Sequence, residues 1–233
     1  MPRTVKDPDE RRSELIACAQ QLFFSKGYES TSVSDIVNAV GVAKGTFYYY
    51  FDSKQALLEA MIDELVAYSV AIIRPVIDDP ELNAVEKWVQ TFRMIGTWKV
   101  GRRSEMVAIG KMLYADENAL LRYKTNQRTV ETLSPELAQI IAQGIDEGFF
   151  NTQFGEDSVR IAIGSTLTFA EELYDLFLNP ERYDDPAAIA QHKITAVQDA
   201  VERIFGAPAG SLPLGDPAIY EQWFNGEKEP VGS

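Results

Sequence analysis

The amino-acid sequence predicts an all-α fold of about nine helices. Up to Phe205, apolar residues recur at spacings of three and four, which is typical of helices with one buried face. No segment shows a convincing period of two, the mark of a half-buried strand, and the sequence has no internal repeat. Gly, Pro and Asn residues separate the helical segments. These observations favour short N-terminal helices followed by a body of longer ones.

The first two helices are predicted from their apolar faces and their ends. A helix from near Pro8 to Lys26 carries one apolar face, and Gly27 provides its left-handed stop. Ser32 and Asp35 form a variant of the capping box at the start of the second helix. The apolar positions of that helix follow the spacing i, i+3, i+4, i+7, at Val33, Ile36, Val37 and Val40.

A third helix, from near Lys44 to about Phe51, is predicted to be buried on one side only. The segment Gly-Val-Ala at 41–43 separates it from the second helix, and two short amphipathic helices joined by such a turn form a helix-turn-helix. Consecutive helical residues point about 100° apart, so the three tyrosines at 48–50 cannot all face inward. We therefore expect Phe47 and Phe51 to be buried and Thr46 and the tyrosines to be at least partly exposed.

The remaining helices are longer. A fourth is predicted to start after Ser53 and to stop before Pro75. Five more are expected near residues 83–99, 104–115, 117–148 with a kink at Pro135, 157–178 and 186–205.

Composition divides the chain into three parts. Beyond Gly206 it shifts to Gly, Pro and Ala, which indicates a partly extended tail that aromatic residues could anchor to the body, at Tyr220, Trp223 and Phe224. We predict a helix-turn-helix domain at 1–53, a helical ligand-binding and dimerisation domain at 54–206, and a Gly/Pro-rich tail at 207–233.

The composition indicates a soluble globular protein and argues against catalysis. Of 233 residues, 45% are hydrophobic and 24% charged. Cys18 and His192 are the only cysteine and histidine, which excludes an internal disulfide, thiolate zinc sites and most histidine-based catalysis. We expect no enzymatic activity, no cofactor and no metal. No apolar run approaches the roughly 20 residues that span a membrane, and the N-terminus lacks a signal-peptide pattern, so a cytoplasmic protein without a membrane partner is expected.

The formal net charge of −13 is unusual for a protein that binds DNA, because phosphate attraction supplies much of the affinity. Up to residue 55, seven basic residues balance seven acidic ones, so the whole excess of acid lies beyond that point. An acidic body behind a neutral head would orient docking on DNA. A uniformly solvated acidic surface is the alternative.

From Asp35 to Leu57 the sequence follows the pattern D-I-x-x-x-x-G-V-x-K-G-T-F-Y-x-Y-F-x-S-K-x-x-L, preceded by Thr31 or Ser32. This segment resembles the TetR family of repressors, and the resemblance extends over about Arg11 to Leu65. It implies that three residues face base edges in the major groove: Lys44, Gly45 and Tyr49. It implies phosphate contacts from four more: Thr46, Tyr48, Tyr50 and Lys54. Thr31 or Ser32 would hold the DNA backbone from the second helix.

Two features limit the helix capping and the base recognition that we expect of the head. Ala43 stands where many TetR relatives have Ser or Thr, and loss of that hydroxyl costs about 1 kcal/mol of helix capping. None of the three base-facing residues is Arg, Asn or Gln, so no bidentate pairing with guanine or adenine is predicted.

Beyond residue 65 the resemblance is one of architecture, and it implies a homodimer and a small-molecule pocket. The dimer would be a four-helix bundle formed by the last two helices of each subunit, with apolar surface from Ile161, Leu167, Tyr174, Phe177, Ile194, Val197, Val201 and Ile204. Much of that stripe must also close the core of its own subunit. Aromatic and Met residues are the candidate pocket walls, with polar contacts from a Gln and a Glu: Trp88, Phe92, Trp98, Met106, Met112, Tyr114, Tyr123, Phe169, Gln127 and Glu172.

The sequence thus predicts a ligand-responsive transcriptional regulator, most simply a repressor. Its expected partners are a palindromic double-stranded operator, a second copy of the chain, and a small, largely apolar effector that releases the DNA. A helical small-molecule-binding or scaffold protein with weak or lost DNA binding is the alternative.

Overall fold

The computed structural model describes residues 7–225, with the side chains of all of them except 117, 220, 221 and 225. Within that range the chain forms ten α-helices, two single-turn 3-10 helices at Asp116–Asn118 and Pro180–Arg182, and no strand. The α-helices are α1 Pro8–Lys26, α2 Val33–Val40, α3 Lys44–Tyr50, α4 Lys54–Ile77, α5 Ala84–Val100, α6 Arg103–Leu113, α7 Ala119–Asp146, α8 Gly155–Leu178, α9 Pro186–Phe205 and α10 Pro217–Asn225. The predicted all-α class is confirmed.

The chain divides into two compact units, one ending at Leu65 and the other beginning at Val66. We call residues 7–65 the head. In the head, α2 packs on α1 and α3 packs on α2. Fully buried side chains from all four of its helices close the core: Leu15, Ile36, Phe47, Leu57 and Leu58.

Local hydrogen bonds fix the ends of α2. The Ser32 hydroxyl accepts the Asp35 backbone N–H, and the Asp35 carboxylate accepts the Ser32 N–H, so both halves of the predicted capping box are present. Gly41 ends the helix in the left-handed conformation with φ 75°, which glycine adopts without steric cost. These two ends limit α2 to eight residues and so position the turn before α3.

Residues 66–225 form the body, in which α8 lies between α7 and α9. Its core contains side chains from the end of α4 and from α5, α7, α8 and α9, among them Ile73, Trp88, Ile140, Ile141, Val159, Val201 and Phe205.

The expected stop of α4 before Pro75 was wrong, since the helix continues to Ile77. Proline removes one helical hydrogen bond, but here it lies in the last turn, next to buried Val76 and Ile77. The Lys87 ammonium also donates to the Ile77 carbonyl at 2.6 Å and so satisfies an acceptor at the helix end. Burial and this cap together offset the missing bond.

The expectation of an extended tail was also wrong in part, because α10 lies within it. Trp223 is buried and stacks on Phe177 with ring centroids 5.1 Å apart. Earlier in the tail, the backbone N–H groups of Gly210 and Leu212 donate to the buried Glu202 carboxylate of α9, each at 2.9 Å. Leu212 and Trp223 of the tail are therefore part of the body's core.

Across residues 7–225, none of the helices combines the length and the apolar character that a membrane span requires.

Candidate nucleic-acid interface and body cavities

Helix α3 has one buried side and one exposed side. Phe47 is fully buried and Phe51 nearly so, with their ring centroids 5.8 Å apart. Tyr48 and Tyr49 are 49% and 78% exposed, and Lys44 and Gly45 are exposed beside them. The predicted orientation of this helix is confirmed. Lys44, Gly45, Tyr48 and Tyr49 therefore lie on the side of α3 that faces away from the core of the head.

The exposed tyrosines are held in defined positions by their neighbours. The Tyr48 ring meets the Phe47 ring edge to face at 5.4 Å, and the Tyr49 ring meets the Tyr50 ring in the same way at 4.9 Å. Tyr50 and Thr46 are half-buried. Each hydroxyl can donate to phosphate or to a base edge.

The start of α3 lacks a side-chain cap. Ala43 occupies the N-cap position, and its carbonyl accepts the Thr46 N–H at 2.9 Å, but no side chain bonds the first turn. Gly41 and Val42 both donate to the Val37 carbonyl at 2.9 Å, so the turn is held from the α2 side.

Thr31 and Ser32 have structural bonds in this fold. Thr31 is 1% exposed, and its hydroxyl donates to the Gly27 carbonyl at 2.7 Å. Exposed Ser32 is the N-cap of α2 and also donates its hydroxyl to Asp35 at 2.7 Å. Hydrogen bonds from Ser32, together with Lys26, hold the Asp35 pKa well below its usual range, so this carboxylate stays ionised. Of the two candidates for the backbone clamp, only Ser32 has an accessible side chain.

Lys54 is engaged inside the head. Its ammonium donates to the Tyr28 carbonyl at 2.8 Å and lies 4.0 Å from the centre of the Tyr28 ring. The family resemblance implies a phosphate contact for Lys54, whereas in the structure its charge has a protein partner. A lysine far from Tyr28 in sequence offers no local signal for this contact.

Most positively charged side chains in the described part of the head already have partners within the protein. Arg11 pairs with Glu14 at 2.6 Å, Arg12 with Glu64 at 3.2 Å, and Lys26 with Asp35 at 2.9 Å. With Lys54 bonded to Tyr28, Lys44 is the one cation in residues 7–65 that has no ion pair, hydrogen bond or ring contact. It lies in the first turn of α3, beside the exposed tyrosines.

The body contains two adjacent apolar cavities, of about 210 and about 160 Å³. Five residues line both of them: Phe92, Ile95, Lys99, Thr166 and Leu214. The larger cavity is completed mainly by α8, α9 and the tail, including Tyr174, Phe177, Ile219 and Trp223. The smaller is completed by core residues such as Ile73, Trp88, Leu133 and Val159.

The structure brings together three of the predicted pocket residues, because Trp88, Phe92 and Phe169 line one or both cavities. The others line neither of these cavities: Trp98, Met106, Met112, Tyr114, Tyr123, Gln127 and Glu172. Met106 and Met112 are buried elsewhere, Tyr123 is 61% exposed, and Glu172 pairs with Lys193.

Several residues predicted for the dimer interface lie instead along the cavities. Tyr174, Phe177, Ile194 and Val197 line the larger one. Leu167 and Val201 line the smaller one. Ile161, at 60% exposed, is the clearest outward-facing member of the set, and Ile204 is half-buried. The helical period places an apolar face correctly but does not show whether it meets its own core or a partner.

The comparisons with known proteins agree with this geometry. Residues 15–61 match the family model described as bacterial regulatory proteins, tetR family. A similar curated relative is the HTH-type transcriptional repressor KstR2 of Mycobacterium tuberculosis, 25% identical over 170 residues, which are 71% of this chain and 82% of the relative.

Solved structures share the fold. The regulator FadR of Bacillus subtilis in complex with stearoyl-CoA superposes with a TM-score of 0.57 at 21% identity, over 83% of this chain and 97% of FadR. RolR in complex with resorcinol gives 0.60 at 17% identity, over 97% of each chain.

Proposed function

We propose that this chain, which matches the tetR family model over residues 15–61 and is similar to the repressor KstR2, is a ligand-responsive repressor. In this proposal the head of a homodimer binds a palindromic operator, and a small, largely apolar effector in the body releases it. The single observation that carries the proposal is the exposed side of α3, where Lys44, Gly45, Tyr48 and Tyr49 face away from a core closed by Phe47.

The structure favours a division of roles among these residues. Lys44 brings the uncompensated charge of the described head, so it is the strongest candidate for a phosphate or a base-edge acceptor. The hydroxyl groups of Tyr48, Tyr50 and Thr46 can donate to phosphate. Tyr49 and Gly45 are the candidates for contact with the base edges, and Tyr49 has the most exposed ring of α3. Ser32 is favoured over Thr31 as the backbone clamp because its hydroxyl is accessible.

A homodimer would bind DNA more tightly than a single head. Within residues 7–65 Lys44 is the one cation without a partner, which gives little electrostatic affinity, and the formal charge of the chain is −13. Two copies related by a twofold axis double the contacts and read an inverted repeat, with the recognition helices about 34 to 36 Å apart. We assign this interface to the outward side of α8, where Ile161 is exposed.

The body cavities support the effector half of the proposal. Each is walled by aromatic and aliphatic side chains, as small-molecule sites commonly are. FadR and RolR, which share this fold, are in complex with stearoyl-CoA and with resorcinol. Release requires two conformations of the body, of which the effector binds one more tightly than the other. A coupling free energy of about 1 to 3 kcal/mol between effector and DNA binding changes operator affinity 5- to 150-fold.

Selection from a pool of random double-stranded DNA tests the DNA-binding half. The full-length protein should enrich an inverted repeat whose half-sites are about one helical turn apart. The variant Tyr49→Ala should bind the enriched duplex more weakly, whereas Tyr68→Ala, an exposed tyrosine of the body, should bind it as the wild type does. Absence of enrichment would refute the proposal.

A second candidate function is a helical small-molecule-binding protein with weak or lost DNA binding. Four of the five cations in residues 7–65 have protein partners, and α3 starts without a side-chain cap. The same selection distinguishes the two, since this candidate predicts ligand binding by the body and no enriched DNA site.

A further inference from the structure

One cation lies at the wall that the two body cavities share. Lys99 of α5 lines both cavities, together with Phe92, Ile95, Thr166 and Leu214. Among the residues that line either cavity there is no Asp, Glu, Arg or His. Tyr174 adds no charge, because burial raises the pKa of its hydroxyl. The cavities therefore present one positive charge and no negative charge to a bound molecule.

The Lys99 ammonium has no partner of its own. In residues 7–225 it makes no ion pair and no hydrogen bond. The Lys99 side chain is exposed and lines both cavities, and desolvation by the surrounding protein lowers its pKa. A lone ammonium at the wall of two apolar cavities favours a ligand whose anionic group pairs with it.

The other polar groups of the shared wall are already satisfied. The Thr166 hydroxyl donates to the Ala162 carbonyl at 2.8 Å, and in the smaller cavity the Thr129 hydroxyl donates to the Thr125 carbonyl at 2.9 Å. Both bonds lie within the residues' own helices. Lys99 is therefore the group at the shared wall that still offers donors to a ligand.

We propose that the effector of this protein is an amphipathic monocarboxylate whose anionic head pairs with Lys99 and whose apolar tail fills one of the two cavities. The inference rests on the proposed function, in which the body holds an effector, and it deepens that function by naming the chemical class. A cation would meet Lys99 with no carboxylate to balance it. A dianion would carry a second charge into walls that offer no second cation.

The cavity volumes set the size of the tail. An engineered apolar cavity of about 150 Å³ holds benzene, which has six carbons. By that proportion the cavity of about 160 Å³ holds about six carbons and the cavity of about 210 Å³ about eight. The tail is thus a short alkyl chain or a single ring with a short linker.

Isothermal titration calorimetry on the full-length protein without DNA tests the charge of the ligand's head group at a fixed size. The probes are octanoate, 1-octanol and octylammonium, which each contain eight carbons and differ in the charge of the head. We expect octanoate to bind at least about tenfold more tightly than 1-octanol, and octylammonium to bind most weakly.

Variants of Lys99 test whether this residue causes the preference for octanoate over 1-octanol. Lys99→Met keeps the length of the side chain without its charge, and it should remove the preference for octanoate over 1-octanol. Lys99→Arg should keep the preference. Lys111→Met is the matched control, because Lys111 is exposed on α6 and lines neither cavity. Circular dichroism confirms that each variant is folded.

Three results would overturn the inference: 1-octanol binds the wild type as well as octanoate does, Lys99→Met retains the octanoate preference, or none of the three probes binds. The wild-type comparison needs no variant, so a variant that fails to fold leaves the test intact. Calorimetry uses no DNA, so failure of the DNA selection contradicts the proposed function alone. If octanoate binds but does not release the enriched duplex, the result contradicts release of DNA by the effector. It does not contradict the proposal that the ligand is a monocarboxylate.

Discussion

Replacing Glu202 with Gln tests how the tail is held. The buried Glu202 carboxylate accepts the Gly210 N–H through Oε2, and the Leu212 N–H and the Gln198 side-chain amide through Oε1, at 2.8 to 2.9 Å. Glu202→Gln keeps one oxygen and places an NH₂ group against one of these donors. Loss of that bond and the donor left unsatisfied should cost about 1 to 3 kcal/mol of unfolding free energy.

Urea unfolding followed by circular dichroism measures this cost, and limited proteolysis of residues 207–216 measures release of the tail. We expect the variant to unfold at lower urea and to be cleaved faster. Leu214, Ile219 and Trp223 line the larger cavity, so the variant should also bind octanoate more weakly. Glu181→Gln, an exposed carboxylate, is the control. A loss below about 0.5 kcal/mol with unchanged cleavage would refute the role given to Glu202.

Three further predictions concern packing and pH. Phe47→Ala should cost the head about 3 to 5 kcal/mol of stability, because it removes a fully buried aromatic ring, whereas Tyr49→Ala should change stability by less than about 0.5 kcal/mol; thermal unfolding compares them. Gly144→Ala should cost about 1 to 3 kcal/mol in the same assay, since the added Cβ would clash with the Phe150 ring; equal stability would contradict the close packing of α7 on that ring. The Asp35 pKa is lowered in the folded head by Ser32 and then by Lys26, so its stabilisation is complete above about pH 4 and is lost as the pH falls further. The stability advantage of wild type over Asp35→Asn should therefore shrink below about pH 4 in unfolding experiments, and a constant advantage down to pH 2 would contradict the assignment.

The local features of the head were predictable from sequence. The four-residue spacing of Phe47 and Phe51, the Ser32–Asp35 pair and Gly41 act within one or two helical turns, and the structure shows each of them as expected. Helical periodicity and capping depend on neighbours in sequence, so one sequence is sufficient to show them.

The body was less predictable because its decisive contacts join distant residues. Helix α10 lies in a Gly- and Pro-rich tail, yet Trp223 packs on Phe177, 46 positions earlier. Lys99 was not assigned to the pocket, since a lysine in a helix usually indicates a solvated face. Met106 and Met112 were assigned to the pocket from their chemistry alone, and the structure buries them away from both cavities.

The salt dependence of DNA binding tests the central claim most directly. The logarithm of the affinity for the enriched duplex should fall linearly with the logarithm of salt concentration, since each phosphate contact releases counterions. In a dimer, Lys44→Ala removes two positive charges from the side of α3 that we assign to DNA and should reduce the slope by about two, whereas the exposed body variant Lys111→Ala should leave it unchanged. A wild-type affinity independent of salt, or an unchanged slope in Lys44→Ala, would contradict the assignment of α3 to DNA.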